Sequence, residues 1–221
     1  MLTKQVIEAL TEAASAATRR DSDRALESAR DLLGAQAATC EPLLIELARR
    51  CEELHQLRDL AGRDPLTGAA NRRTFEEELA REVARHRRTR EAFAVILVDV
   101  DDLKQRNDCH GHQAGDTALT ALVHAAIRTV RETDVVARIG GDEFAVLLPG
   151  SNQAGATALA ARLREAVEQC EVAGGALRVS VGIAAAEHGR SAADAIVRSA
   201  DIDLYRDKAQ RKSGQRDDCA A

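Results

Sequence analysis

The chain has 221 residues, a length that accommodates one full domain and a small additional segment. It is 45% hydrophobic and 30% charged, which is typical of a globular protein rather than a disordered one. The net charge of −5 argues against a general binder of nucleic acid or anionic membrane, so an anionic ligand must be held by local cations or by a metal.

The cysteines and the N-terminus bear on the compartment. Five cysteines form an odd set without a Cys-x-x-Cys pair, which predicts free thiols in a reducing environment, and their spacing fits no zinc site. No apolar run approaches the roughly 20 residues that a membrane helix needs. The sequence Met1-Leu2-Thr3-Lys4 lacks a signal-peptide core. We therefore expect a cytoplasmic protein that binds neither membrane nor nucleic acid.

Residues 1–61 are predicted to form an all-α segment of three helices, the third running to about Ala61. A candidate capping residue opens each helix, and a glycine follows the second. These residues are Thr3, Asp21 or Ser22, Gly34, and Thr39 with Pro42.

Seven residues of the third helix recur at alternating spacings of four and three, which is the pattern of a heptad seam. Arg58 makes the seam imperfect. The pattern fits a helix packed on the first two helices as well as it fits a dimeric coiled-coil stalk, because too few heptads are present to decide. The seam consists of Cys40, Leu44, Leu47, Cys51, Leu54, Arg58 and Ala61.

Glycine and proline interrupt regular secondary structure, and their presence predicts a domain boundary in Gly62-Arg63-Asp64-Pro65-Leu66-Thr67-Gly68. After it, hydrophobic periodicity predicts helices alternating with strands, and hence an α/β sheet covered by helices. The predicted elements are a helix capped by Asn71, a strand over 93–98, a helix over 114–131, a hairpin over 135–148, a helix over 152–170, a strand over 177–184 and a helix over 191–211.

Acidic residues cluster at the ends of two strand-like runs. The apolar run 93–98 ends in Asp99-Val100-Asp101-Asp102, and Asp142-Glu143 follows Gly140-Gly141 between the runs 135–137 and 144–148. Two glycines between such runs predict a tight β-hairpin, because glycine tolerates the positive φ of these turns. Acids from a strand end and from a hairpin tip can converge on one Mg²⁺ and leave coordination positions for substrate phosphates.

These motifs resemble, in order and spacing, the signature of the GGDEF family, the diguanylate cyclases. The match covers about residues 62–214, and its five central motifs in the family's order and spacing are highly specific, whereas one motif alone is weak. The opening motif is Asp64-Pro65-Leu66-Thr67-Gly68 with Asn71-Arg72-Arg73. The central motifs are Asp99-Val100-Asp101-Asp102-Leu103-Lys104, Asn107-Asp108, Gly111-His112, Gly115-Asp116 and Gly140-Gly141-Asp142-Glu143-Phe144. The closing motifs are Ser180-Val181-Gly182-Ile183-Ala184 and Ala200-Asp201 with Leu204-Tyr205 and Lys208.

The resemblance implies a fold and a reaction. The fold is a GGDEF domain over 62–214, with a central mixed sheet surrounded by helices as in polymerase palm domains and nucleotide cyclases. It follows a regulatory or dimerisation segment at 1–61 and precedes a tail at 215–221. The reaction joins two GTP molecules into cyclic di-GMP, releases two pyrophosphates and depends on Mg²⁺ or Mn²⁺. Because one domain holds one GTP, a homodimer is expected.

The resemblance also implies roles for individual residues. Asp99, Asp142 and the Val100 carbonyl are metal ligands, and Glu143 is a further ligand or a base for the 3′-hydroxyl. Asn107 and Asp116 bind the guanine edge, with loop and turn chemistry as the alternative because both are expected in a loop. Gly140 and Gly141 line the substrate site, and the candidate triphosphate cations are Lys104, Lys208, Lys212 and Arg138, of which Arg138 can instead orient an acid. Lys212 stands where an arginine is usual, and a solvated helix end is an equal alternative for it.

Arg131-Glu132-Thr133-Asp134 precedes Gly140 at the offset of the family's RxxD inhibitory site for cyclic di-GMP. By resemblance, Arg131 and Asp134 bind the product. An RxxD pattern by itself more often marks an ion pair at the surface end of a helix.

The leading hypothesis is an active diguanylate cyclase. The alternative is a catalytically silent receptor for GTP or cyclic di-GMP with the same fold. A purely structural helical protein explains residues 1–61 but leaves the acidic clusters without a role.

Overall fold

The computed structural model describes residues 2–16, 19–33, 37–186 and 193–218. The chain divides into two compact units, residues 1–62 and residues 63–221. The described part of the first unit consists of helices α1 (Leu2–Ser15), α2 (Arg19–Leu33) and α3 (Ala37–Ala61). None of the helices in the described ranges combines the length and the apolar content needed to cross a bilayer.

The helix starts of the first unit differ from those predicted. Four proposed caps and Pro42 lie inside helices, so the capping predictions were wrong. Ser22 shows the reason: it is buried, and its hydroxyl donates to the carbonyl of Ala13 in α1, 2.8 Å away, instead of capping its own helix. Gly34 lies outside the described residues. The misassigned residues are Thr3, Asp21, Ser22, Thr39 and Pro42.

The predicted seam of α3 is only partly buried within this unit. Cys51 is buried, and its Sγ lies 3.6 Å from the Ala13 carbonyl. Leu44 and Leu47 are half-buried, whereas Leu54 is 45% exposed. Part of the seam therefore packs on the first two helices, and part of it faces outward. The side chains of Cys40 and Arg58 lie outside the described residues.

The second unit is an α/β domain, as predicted. Its described residues form one mixed sheet of five strands in the order β1-β3-β4-β2-β5, in which β1 and β3 are parallel and the pairs β3–β4, β2–β4 and β2–β5 are antiparallel. The elements are β1 (Ala70–Asn71), α4 (Arg72–Thr89), β2 (Phe93–Val100), α5 (Leu103–His110), α6 (His112–Thr129), β3 (Val135–Arg138), β4 (Glu143–Pro149), α7 (Gln153–Glu168), β5 (Val179–Ala186) and α8 (Ala193–Asp218). Helix α8 thus extends into the segment predicted to be a tail.

Strand β2 lies between β4 and β5, and all eight of its residues are buried. Successive side chains of a strand point to opposite faces, so β2 contributes to two cores. Ile96 and Val98 pack with residues of α6 and α7, and Val95 and Leu97 pack with residues of α4 and α8. Helices cover both faces, which explains why the sequence of β2 is continuously apolar instead of alternating.

Residues 103–110 form helix α5, which the sequence did not predict. None of its residues is buried, so hydrophobic periodicity gives no signal there. Helix α6 begins at His112, two residues before its predicted start. Asn107 and Asp116 consequently lie on helices, and the expectation that they lie in a loop was wrong.

Candidate functional site

The two acidic clusters meet at one end of the sheet. Asp99 in β2 lies directly opposite Glu143 in β4, and such antiparallel partners present their side chains on the same face. The N–H of Val100 donates to the carbonyl of Asp142 at 3.2 Å, which fastens the hairpin turn to the end of β2. Carboxylates from two separate elements therefore share one region.

Asp99 is the most perturbed acid of this cluster. It is 8% exposed, and its Oδ2 lies 2.8 Å from Nζ of Lys208. Burial raises the pKa of Asp99 above its ordinary value of 3.8, and the ion pair with Lys208 opposes that change. The nearby charges of Asp142 and Asp101 raise it further. One lysine does not offset this accumulation of negative charge, which favours an additional cation.

The donor set fits an open magnesium site rather than a closed protein cage. Among the described residues, no group of three or more His, Cys, Asp or Glu is arranged to hold a metal ion. Mg²⁺ commonly takes one or two carboxylates and fills its other positions with water and substrate phosphates. Asp99, Asp142 and the Val100 carbonyl are the groups that would hold such an ion.

Lys208 reaches Asp99 because the backbone of α8 lies directly against the backbone of the edge strand β5 where the two elements cross. A Cβ built on Gly182 would lie 2.1 Å from the carbonyl oxygen of Ala200 and 2.3 Å from the nitrogen of Leu204. Only glycine at this position lets the helix lie so close to the strand.

Two aspartates of α8 also hold the helix on the edge strand. Oδ2 of Asp207 accepts from the N–H of Val181 at 2.8 Å, and Oδ2 of Asp203 accepts from the N–H of Ile183 at 2.9 Å. Arg164 of α7 pairs with Asp207 at 2.6 Å. The two aspartates bond residues that lie 26 and 20 positions away in sequence, so no local pattern identified their role.

The hairpin between β3 and β4 is present, but its glycines serve another purpose than predicted. Four residues, 139–142, separate the strands. Neither Gly140 nor Gly141 has a positive φ, so that part of the prediction was wrong. A Cβ on Gly140 would lie 2.5 Å from Oε2 of Glu143, whereas a Cβ on Gly141 would meet nothing within 4 Å. Gly140 therefore makes room for Glu143, and Gly141 leaves its backbone open to a ligand.

The guanidinium of Arg138 joins this turn to Asp64. Its Nη2 donates to the Gly141 carbonyl at 2.8 Å, and its Nη1 lies 3.2 Å from Oδ1 of Asp64. Partial burial alone would raise the pKa of Asp64, but hydrogen bonds from Thr67 and Arg138 outweigh it and hold the pKa below 3.8. Of the two roles predicted for Arg138, these contacts favour the orientation of the acidic turn.

Helices α5 and α6 pack so that Asn107 lies against Gly115, the residue before Asp116. A Cβ on Gly115 of α6 would lie 2.0 Å from Oδ1 of Asn107, so the asparagine packs directly on this glycine. That Oδ1 atom is buried and has no hydrogen-bond partner. Asp116 follows Gly115 and is exposed, as is Lys104 on α5. A buried acceptor without a partner beside an exposed carboxylate suits a ligand that donates hydrogen bonds.

Comparison with known proteins identifies the family of this chain. Residues 61–214 match the model of the family described as "Diguanylate cyclase, GGDEF domain". The chain belongs to the GGDEF domain family.

Three GGDEF relatives illustrate the similarity. The diguanylate cyclase DgcP of Pseudomonas aeruginosa is 39% identical over 159 residues, which make up 70% of this chain and 24% of DgcP. The crystal structure of the coiled coil and GGDEF domain of DgcB from Caulobacter crescentus, in complex with c-di-GMP, superposes with a TM-score of 0.68 at 28% identity and covers 78% of this chain and 94% of that chain. The structure of SiaD with its activator SiaC from Pseudomonas aeruginosa gives 0.65 at 30% identity, covering 95% and 85%.

The chain spans less than half of the length of curated GGDEF relatives such as DgcP and the probable diguanylate cyclase DgcC. The match therefore identifies the domain, and the activity of the protein is a separate inference.

In this GGDEF domain, the RxxD segment forms a turn directly before β3. The N–H of Arg131 donates to Oδ2 of Asp134 at 2.8 Å, and the N–H of Asp134 donates to the carbonyl of Arg131 at 3.1 Å. Oδ1 of Asp134 is buried without a hydrogen-bond partner, and the Arg131 side chain is exposed. The carboxylate thus bonds the main chain of Arg131, unlike the surface ion pair that was the alternative for this motif.

Lys212 lies in α8, four residues after Lys208, and its side chain lies outside the described residues. The described cysteines, Cys51, Cys109 and Cys170, are unpaired thiols, in agreement with the cysteine pattern.

Proposed function

We propose that this chain is a diguanylate cyclase that condenses two GTP molecules into cyclic di-GMP and releases two pyrophosphates. The observation that carries the proposal is the meeting of Asp99, Asp142 and Glu143 at one end of the sheet, beside Lys208. Membership in the GGDEF family and the names of relatives such as DgcP support it. The nucleotide substrate and the unpaired thiols fit a cytoplasmic location.

The guanine base is bound by helices α5 and α6. Asp116 accepts hydrogen bonds from N1–H and the 2-amino group of guanine. The unpartnered Oδ1 of Asn107 accepts a hydrogen bond from a further donor of the base. Adenine lacks both the N1–H and the 2-amino group, so these residues favour GTP over ATP. Lys104, Lys208 and Lys212 supply positive charge to the triphosphate, and Gly140 and Gly141 leave its approach to the hairpin open.

Each of the two condensation steps forms one bond and breaks one bond. The 3′-hydroxyl of one nucleotide attacks the α-phosphorus of the other, and the bond to pyrophosphate breaks. Glu143 accepts the hydroxyl proton, and Lys208 stabilises the negative charge on the phosphates. Asp99, Asp142 and the Val100 carbonyl would hold Mg²⁺ or Mn²⁺, with Glu143 nearby, and the bound ion would neutralise charge on the phosphate oxygens.

Cyclisation requires two domains, because each one offers a single pair of guanine-binding residues. Residues 1–61 are the proposed means of dimerisation. Leu43 and Leu54 of α3 are exposed, at 73% and 45%, and they lie on the same side of the helix because they are about three full turns apart, so this apolar side suits a second copy of the helix. The DgcB structure likewise joins a coiled coil to a GGDEF domain.

The deciding experiment incubates the full chain with GTP and Mg²⁺ and separates the nucleotides by chromatography. Formation of cyclic di-GMP, with a rate per chain that rises with protein concentration, supports a dimeric cyclase. GTP binding without product supports the silent receptor instead. A folded protein that binds neither GTP nor cyclic di-GMP and forms no product contradicts both functions.

The RxxD turn is proposed to bind the product and inhibit the enzyme. Replacement of Arg131 with alanine is expected to weaken cyclic di-GMP binding and inhibition about tenfold or more, because it removes hydrogen bonds from a charged group to the product. The measurement is a titration of cyclic di-GMP against wild type and variant, by calorimetry and by initial rates.

Arg128→Ala is the matched control, since Arg128 is exposed three residues earlier, in the last turn of α6. It should leave the inhibition unchanged. If Arg131→Ala binds cyclic di-GMP as tightly as wild type, the product site lies elsewhere.

A further inference from the structure

Helix α5 carries Lys104 and Asn107, yet little in its own sequence stabilises it. It has eight residues, fewer than an isolated helix needs, and none of them is buried. Asp102 at its N-cap makes no side-chain capping bond. Contacts with distant parts of the chain must therefore hold α5 in position.

Arg106 provides such a contact. Its guanidinium donates to the carbonyl of Ala173, and longer bonds reach the carbonyls of Gly175 at 3.5 Å and Ala176 at 3.4 Å. These acceptors belong to the turn before β5, some 67 to 70 residues further along the chain. One side chain thus joins α5 to three carbonyls of a single turn.

Arg106 reaches the turn beside a cavity, and its Nε atom is buried. A cavity of about 350 Å³ lies between α5 and this turn, and its lining includes Arg106, Gln105, Gly174 and Arg178. The guanidinium bonds α5 to the turn here, and the His110 ring of the same helix also lies against Gly174.

The turn is shaped to receive the guanidinium. Gly174 has a φ of +88°, and a Cβ there would lie 3.0 Å from Nη1 of Arg106 and 3.0 Å from the His110 ring. Gly175 has nearly the same φ, +89°, but a Cβ there would meet nothing within 4 Å. The two glycines therefore share a positive φ that would strain any other residue, and they differ in their contact with Arg106.

We propose that Arg106 is a positioning residue for guanine recognition, acting by holding α5 so that Asn107 keeps its place. Asn107 is its immediate neighbour and already lies against Gly115, so a small shift or rotation of α5 moves the buried acceptor Oδ1. Arg106 itself does not touch the nucleotide. This role rests on the proposed function for the identity of the base.

The test compares Arg106→Gln and Arg106→Lys with wild type. Arg106→Gln is expected to raise the KM and the Kd for GTP about tenfold while kcat stays within about twofold, because the acidic cluster is untouched. Its preference for GTP over ITP, which lacks the 2-amino group, should fall. Arg106→Lys keeps one charged donor and should recover part of the affinity.

Gly174→Ala and Gly175→Ala form a matched pair. Both introduce a side chain at positive φ, so both lose similar stability, but only Gly174→Ala pushes against Arg106. Gly174→Ala should weaken GTP binding as Arg106→Gln does, and Gly175→Ala should leave the Kd within about twofold. Amide hydrogen exchange over 103–110 should accelerate in Arg106→Gln and Gly174→Ala alone.

Unchanged GTP affinity in folded Arg106→Gln, or an equal loss in the two glycine variants, overturns the role of Arg106. Failure of the proposed function is a separate result. If wild type binds GTP without forming cyclic di-GMP, the cyclase proposal fails, and the Kd values of the variants still decide the role of Arg106.

Discussion

Replacement of Asp99 with asparagine is expected to lower the rate of cyclic di-GMP formation by at least ~10³-fold in a protein that remains folded. The amide keeps the shape of the side chain but removes the buried charge that lies beside Asp142 and pairs with Lys208. Both the affinity for Mn²⁺ in the presence of nucleotide and the turnover rate should fall together.

The same substitution should not lower stability at neutral pH. The pKa of Asp99 is raised in the folded protein, chiefly by burial, so ionisation costs folding free energy as the pH rises above the unfolded value of 3.8. A neutral asparagine removes that cost, although Lys208 loses its partner. We expect a melting temperature at pH 7 equal to or above that of wild type, a trade-off that is common at functional sites.

Asp102→Asn provides the matched control. Asp102 is exposed and has a φ of +56°, a conformation that asparagine also adopts readily. The same loss of charge there should change the rate by less than about threefold. If Asp99→Asn retains a tenth of the wild-type rate, Asp99 is not the centre of the reaction.

Replacement of Gly182 with alanine is expected to cause the largest loss of stability, about 3 kcal/mol or more in the free energy of unfolding. The added methyl group would lie 2.1 Å from the carbonyl oxygen of Ala200 and 2.3 Å from the nitrogen of Leu204. Both atoms belong to the backbone of α8 and cannot rotate away. The helix must therefore move off β5, which also displaces Lys208 from Asp99 and lowers activity in whatever protein remains folded.

Urea denaturation of Gly182→Ala and wild type measures this effect through the midpoint and the slope. Gly155→Ala is the control, because Gly155 lies in the first turn of α7 and a Cβ there would approach no atom closer than 3.4 Å. That substitution should be neutral or stabilising by up to about 1 kcal/mol through helix propensity. A Gly182→Ala midpoint equal to that of wild type would show that α8 does not contact β5 at this point.

Local patterns predicted the parts of the fold that depend on local chemistry. The continuous apolar run 93–98 identified the buried central strand, and Asn71 does cap α4, with its side chain accepting from the N–H of Thr74. Both features follow from the residue itself and its near neighbours. The order and spacing of the acidic and glycine motifs likewise identified the family.

Patterns failed where a distant contact decides the structure. Helix α5 buries no residue, so its sequence carries no amphipathic signal, and Arg106 bonds a turn almost 70 residues away. Ser22 resembles a helix cap but donates its hydroxyl to a neighbouring helix. Gly140 was expected to provide a positive φ, whereas it makes room for the Glu143 side chain.

The sequence alone therefore determined which chemical groups are available: the carboxylates, the lysines, the proposed guanine-binding pair and the strand that ends beside them. The tertiary structure decided which of these groups meet. Lys208 contacts Asp99 because α8 crosses β5 at Gly182, and Asn107 packs on Gly115 because α5 lies against α6. In both cases the residues come together through packing of whole elements, and packing depends on shape that no local pattern encodes.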